Sequence, residues 1–186
     1  MSDQRLFSFT GGEAGDWNIT RITTLCGEPV KPAKFLRIMH GNDANAGQAA
    51  WSFRGITSNE RYVEDTEKKE LVSRQEGLGK PGNDFAAMIL IRKNPEWWKL
   101  SQNERRAIFE AQSKHIAIGM RYLPQIARRL HHSRDLGENE PFDFITWFEF
   151  SANNEKLFDE LLSELRSTQE WNFVSREIDF RISRSI

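Results

Sequence analysis

Between residues 5 and 58 apolar and polar side chains alternate in short runs: RLFSFT ahead of a Gly-Gly turn, WNITRITTL, KFLRIM and AAWSFRGITS. Alternation sends successive side chains to opposite faces, so each run predicts a strand with one buried face. The period then changes. In ERYVEDTEKKELVSRQ, residues 60–75, Tyr62, Val63, Leu71 and Val72 form an apolar side among charges, which predicts a helix. GLGKPGND, residues 77–84, is punctuated by small and ring-locked residues and predicts a linker.

The second half repeats the change of period. AAMILIRK, residues 86–93, is an apolar run of strand length, and FDFITWFEF, residues 142–150, is an aromatic strand. Ser101 to Glu104 spell a capping box that opens a long helix, and NNEKLFDELLSEL sets Leu157, Phe158, Leu161, Leu162 and Leu165 on one helical face. NFVSREIDFRISR alternates as a closing strand. Strand, helix, strand, helix, strand is the content of a ferredoxin-like unit, with helices on one face of a sheet. The expected fold is α+β, built from an N-terminal half over residues 1–78 and a C-terminal half over residues 85–186, the two being degenerate copies of one such unit.

Composition narrows the classes of function. The chain has 186 residues, 38% hydrophobic and 28% charged, and no apolar run of membrane-spanning length. Its first residues lack a basic segment followed by an apolar one, so a secretory signal is not expected and residence in the cytoplasm is. Lys plus Arg number 26 against 27 Asp plus Glu, which is not the balance of a general nucleic-acid binder. Cys26 is the single cysteine, so an internal disulfide and any multi-cysteine metal cluster are excluded.

Counting from the capping box, Ile108, Ala111, His115, Gly119, Tyr122 and Ile126 recur at intervals of three and four, which puts His115 on the inward stripe of the long helix. Spacing alone favours an ordinary core histidine over a ligand. Ala111 and Gly119, one turn to either side, leave an open patch against which a flat macrocycle could lie. His131 and His132 are expected at a helix end, where cations complement the dipole, and His40 in a Gly-Asn-Asp loop at the surface.

IRKNPEWWKLSQNERR, SKHIAIG, YLPQIARRLHHSRDLGENEPFDFITWFEF and TQEWNF, in this order, closely resemble the chlorite dismutase family of haem b enzymes in its short form. The resemblance implies a dimeric α+β barrel, with haem b in the C-terminal half. It makes His115 the proximal iron ligand and Arg128 the distal arginine, and matches Gln75 to a distal-side glutamine. Trp97 and Trp98 correspond to tryptophans flanking the haem, Lys93 to the lysine before them, and Glu170 to the acid behind the proximal ring. Tyr62 corresponds to a propionate contact. The implied reaction takes the small anion chlorite to chloride and dioxygen through a ferryl species and transient hypochlorite, in a homodimer. A related coproporphyrin haem decarboxylase would lack the distal arginine, and a haem-binding module without turnover is a further alternative; a GxxDG motif of dye-decolorising peroxidases is not found.

A straight helix would place Arg128 about 20 Å from His115 and on another face. Pro124, between them, is expected to kink or end the helix.

Overall fold

The computed structural model describes residues 5–57, 64–137 and 139–185. Eight strands form a closed antiparallel barrel: β1 (Leu6–Gly12), β2 (Trp17–Cys26), β3 (Phe35–His40), β4 (Trp51–Ile56), β5 (Phe85–Lys93), β6 (Ala127–His132), β7 (Phe144–Phe150) and β8 (Val174–Arg184). Around the ring the order is β1-β3-β2-β8-β5-β7-β6-β4. The first four strands therefore run β4-β1-β3-β2 and the last four β8-β5-β7-β6. Each set follows the sequence fourth, first, third, second.

The two sets meet along two seams. β2 and β8 pair from Trp17 opposite Arg184 to Cys26 opposite Glu177. β4 and β6 pair, among the described residues, at Ile56 opposite His132.

Alternation sorts the side chains into two cores. Ala86, Met88 and Leu90 of β5 point into the barrel with Phe9, Trp17, Leu36, Trp51, Trp147 and Phe180. Ala87 and Ile89 point outward. There they meet Phe158, Leu161, Leu162 and Leu165 of the helix Glu155–Arg166, together with Ile118 and Tyr122 of the helix His115–Arg121. The strand-like apolar run of β5 thus arises because both of its faces are buried. β1–β2 and β3–β4 are joined without α-helices, so helix-on-sheet packing belongs to the second set of strands.

In chain order the α-helices are α1 (Asp65–Arg74), α2 (Pro95–Lys99), α3 (Gln102–Arg106), α4 (His115–Arg121) and α5 (Glu155–Arg166). The long helix expected from Ser101 is not one helix. Its capping box forms, with Ser101 and Glu104 bonded reciprocally. A π-helical stretch, Ala107–Gln112, follows, and Lys114 takes a left-handed conformation at φ 55°. After α4 the chain turns through Leu123 and Pro124, and Ile126 leads into β6 rather than continuing a helical stripe. His131 and His132 accordingly lie buried in a strand, not at a helix end. His131 is a satisfied core residue: it faces the Ile145 carbonyl through Nδ1 at 3.2 Å and receives the Arg129 Nε at 3.1 Å. Burial, with the Arg129 charge, pulls its pKa down to about 3.

Gly11 is required where β1 passes beneath Trp51, because a Cβ there would overlap the indole carbons. Replacing Gly11 with Ala should destabilise the chain by about 1–3 kcal/mol, the usual cost of overpacking a filled core. Urea denaturation measures this, and an unchanged midpoint would mean that the indole moves aside freely.

Candidate functional site

Lys93 ends β5, Glu170 lies in the 3-10 turn Gln169–Phe173 before β8, and His115 opens α4. The three meet. Lys93 Nζ donates to Glu170 Oε1 at 2.7 Å, and the other carboxylate oxygen, Oε2, lies 2.6 Å from His115 Nδ1. Lys93 and Glu170 are buried, whereas the imidazole remains about a third exposed, at 31%. The carboxylate is seated by its own backbone as well, since Glu170 N donates to the buried Ser113 Oγ at 2.9 Å.

Burial pushes the Glu170 pKa up, but the charges of His115 and Lys93 and their hydrogen bonds outweigh it and hold the carboxyl well below its ordinary range. Facing an ionised carboxylate, Nδ1 is the ring nitrogen that carries hydrogen, which directs the Nε2 lone pair away from Glu170. The Lys93 ammonium is accommodated by the carboxylate and by aromatic faces, 4.7 Å from the Trp97 centroid and 5.7 Å from that of Trp171. Its backbone N donates to the buried Asp143 carboxylate at 2.7 Å.

Arg128 reaches the same helix from β6. Its Nη1 donates to the Gly119 carbonyl, 3.1 Å away, one turn beyond His115. The strand, not a kinked helix, brings the two together: the chain leaves α4, reverses, and returns the guanidinium to the helix. A Cβ on Gly119 would fall within 3 Å of both terminal guanidinium nitrogens, so the close approach depends on glycine. Burial lowers the Arg128 pKa to about 10, which leaves it cationic at neutral pH. Among the described residues no carboxylate pairs with it. Gln75, the residue closing α1, donates its side-chain amide to the Arg128 carbonyl in β6 at 2.7 Å.

The two tryptophans part company. Trp97 is buried against Lys93 and Phe173. Trp98 turns toward Phe144 and lies beneath the guanidiniums of Arg134, at 4.0 Å, and Arg105, at 5.1 Å. Its Nε1 is a buried donor with no acceptor among the described residues. Tyr62 lies outside the described residues. Ser113 and Asp143 are not singled out by the sequence, because a lone serine or aspartate carries no periodic signal; only the turn and strand pairing give them partners.

Among the described residues no three His, Cys, Asp or Glu side chains converge to hold a bare metal ion. One imidazole backed by a carboxylate, beside a glycine-opened surface, is instead the protein contribution that a porphyrin iron needs, since the macrocycle supplies four ligands of its own. Trp98 Nε1 and its flanking cations are also suited to an acidic group at the edge of such a ring. The residues present therefore fit haem.

Fold and site define a closed α+β barrel with a carboxylate-backed histidine and an arginine facing one helix. A family model described as chlorite dismutase matches residues 33–186, and the chain belongs to that family. The dimeric chlorite dismutase of Nitrobacter winogradskyi shares 45% identity with it at a TM-score of 0.89, over 96% of this chain and 99% of the other. Chlorite dismutase of Ideonella dechloratans is 30% identical over 162 residues, 77% of this chain; the match spans 54% of that relative's length. A variant chlorite dismutase from Candidatus Nitrospira defluvii, 18% identical at a TM-score of 0.69 over 100% of this chain and 93% of the other, shares the fold. Among the described residues no helix is long and apolar enough to cross a membrane.

The depressed Glu170 pKa has a definite stability signature. A carboxyl that titrates lower in the folded chain contributes stability that is complete above its ordinary value of 4.5 and is lost as pH falls toward about 2. Glu170→Gln should cost about 3 kcal/mol at neutral pH by leaving Lys93 buried without its counter-charge. Urea midpoints of the cofactor-free proteins should begin to converge as pH falls below 4.5, where the carboxyl of the unfolded chain gains its proton, and should meet near pH 2, where that of the folded chain does. A gap independent of pH would show that Glu170 titrates alike in folded and unfolded chains.

Proposed function

We propose that this chain is a haem b oxidoreductase that decomposes chlorite to chloride and dioxygen, with hypochlorite as the transient partner of the oxygen-transfer step. The observation that carries this reading is the placement of a buried cation, Arg128, against the helix that the carboxylate-backed His115 opens, with no carboxylate on it among the described residues. His115 Nε2 would ligate the iron, and bound haem would supply the redox chemistry that converts ClO₂⁻ to Cl⁻ and O₂. The remaining roles belong to the chain. Glu170 accepts the Nδ1 hydrogen and fixes the ring, making the imidazole a stronger donor, and Lys93 keeps that carboxylate ionised. Arg128, cationic at neutral pH, attracts the chlorite anion and detains hypochlorite, which would otherwise oxidise methionine and tryptophan. Gln75 holds the strand from which Arg128 extends. Trp97 walls the proximal side, Trp98 offers its Nε1 to a haem carboxylate, and Tyr62 is kept as a propionate contact.

Two ferredoxin-like halves, residues 1–78 and 85–186, are supported by the common strand order, and His115, Lys93, Glu170 and Arg128 all come from the second, which would carry the haem. The dimeric state of the Nitrobacter relative supports a homodimer here. We place it in the cytoplasm, in keeping with its single cysteine.

The deciding experiment is to reconstitute the chain with haem b, add chlorite and follow an oxygen electrode. Oxygen equimolar with the chlorite consumed is expected; stable haem without oxygen release would make the chain a binding module. His115→Ala should lose haem. Arg128→Ala should retain it, lose about tenfold or more in rate, equivalent to about 1.4 kcal/mol, and release more hypochlorite to a trapping reagent. Equal turnover and equal trapping would refute the detaining role.

The push of Glu170 on the proximal ring can be measured separately. By favouring Fe(III) it should lower the Fe(III)/Fe(II) midpoint potential, so Glu170→Ala should raise that potential and Lys93→Ala should disturb it less. Spectroelectrochemistry reads the difference. An unchanged or lowered potential with His115 still bound would remove Glu170 from this role.

A further inference from the structure

We propose that Glu110 is a positioning residue for His115, one that fixes the main chain of the turn from which the imidazole projects. The inference rests on the haem reading for its purpose, though not for its geometry.

His115 begins a new helix only because the helical run before it fails to continue. A helix start leaves backbone N–H groups without intrahelical acceptors, and the preceding residue normally caps them with its side chain. Lys114 does not. Glu110 reaches forward instead, its Oε2 accepting from Ile116 N at 2.6 Å and its Oε1 from Ala117 N at 3.4 Å. A glutamate five residues before the histidine can do so because the π-helical stretch and the left-handed Lys114 turn the chain back on itself. The same short stretch supplies Phe109, whose ring stacks on the imidazole at 4.2 Å and 20°, and ends at Ser113, which seats Glu170. Glu110 thus holds the backbone of the first turn, Phe109 the flat face of the ring, and Glu170 its Nδ1.

The division of labour matters for a ligand. Glu170 alone can hold Nδ1 while the turn tilts about it, and a tilt of roughly 10–20°, the tolerance of a built site, carries the far nitrogen about half an ångström out of place. Pinning the amides of the next two residues removes that freedom. Glu110 touches neither cofactor nor substrate and acts only through His115.

The test compares Glu110→Ala and Glu110→Gln with Glu104→Ala in the full-length chain. Glu104 belongs to the capping box at the start of the same run and serves as a control for loss of helix stability. In the cofactor-free proteins, amide hydrogen exchange at Ile116 and Ala117 should accelerate about tenfold in Glu110→Ala and not in Glu104→Ala. After reconstitution with haem b, the ferrous iron–histidine stretching band in resonance Raman should shift or split in Glu110→Ala. It should remain nearer the unmodified frequency in Glu110→Gln, which keeps an acceptor oxygen, and should be unchanged in Glu104→Ala. Faster exchange with an unmoved band would overturn the positioning role, as would an equal shift in Glu104→Ala. Absence of the band from the unmodified protein would instead overturn the haem reading, while amide exchange would still decide whether Glu110 caps the turn.

Discussion

A carboxylate shut away from water is tolerable only when its charge is met on both oxygens, and Glu170 is placed so that this condition organises the site. One oxygen takes the Lys93 ammonium, the other faces the imidazole, and the backbone behind it is tied to Ser113. Removing any one partner leaves a buried charge or a buried donor, each costly at low dielectric. The end of β5, the turn before β8 and the start of α4 are therefore locked to one another by an electrostatic requirement rather than by apolar contact alone. Further anchors reinforce the lock: the Asp143 carboxylate accepts the Lys93 backbone N–H, and Trp171, beside Glu170, donates through Nε1 to Glu177 in β8 at 2.8 Å.

Beneath that site, the barrel acts as a rigid frame. Outward residues of β5, β7 and β8 support α5 and α4, and polar side chains of β8 carry the attachment further. Arg166 at the end of α5 bridges Glu177 and Asp179, and Arg181 bridges Asp179 and Asp159. Charges in alternating positions of a strand would ordinarily mark a solvent face. Here they form the contact between sheet and helix, with each carboxylate met by a guanidinium.

Much of this architecture can be read from the sequence, and the failures have identifiable causes. Seven of the eight strands announce themselves by alternation or by apolar runs, and α5 by its leucine face. β6 does not: ARRLHH is almost entirely polar, because Arg128 is turned toward the helix and His131 satisfies itself within the core. Its neighbour α4 reads as one helix with α3 because apolar spacing continues across the π-helical stretch, whose extra residue leaves no mark on composition. Lys93 and Glu170 look like solvent-facing charges one at a time. Only pairing between segments 77 positions apart reveals that each is the reason the other can be buried. His115 reads as the middle of the inward stripe of a long helix, whereas it opens a short one and keeps its imidazole about a third exposed.

β8 is the spine of the barrel. On one edge it pairs with β2, from Trp17 opposite Arg184 to Cys26 opposite Glu177, and on the other with β5, from Phe85 opposite Ser183 to Lys93 opposite Val174. It therefore belongs to the second set of strands while binding the first to it, as the spine of a book holds both covers. The turn that carries Glu170 runs straight into its first residue. A shift of that carboxylate away from His115 would have to drag the strand that two ladders hold, so the stiffness of the barrel is lent to the orientation of a single imidazole.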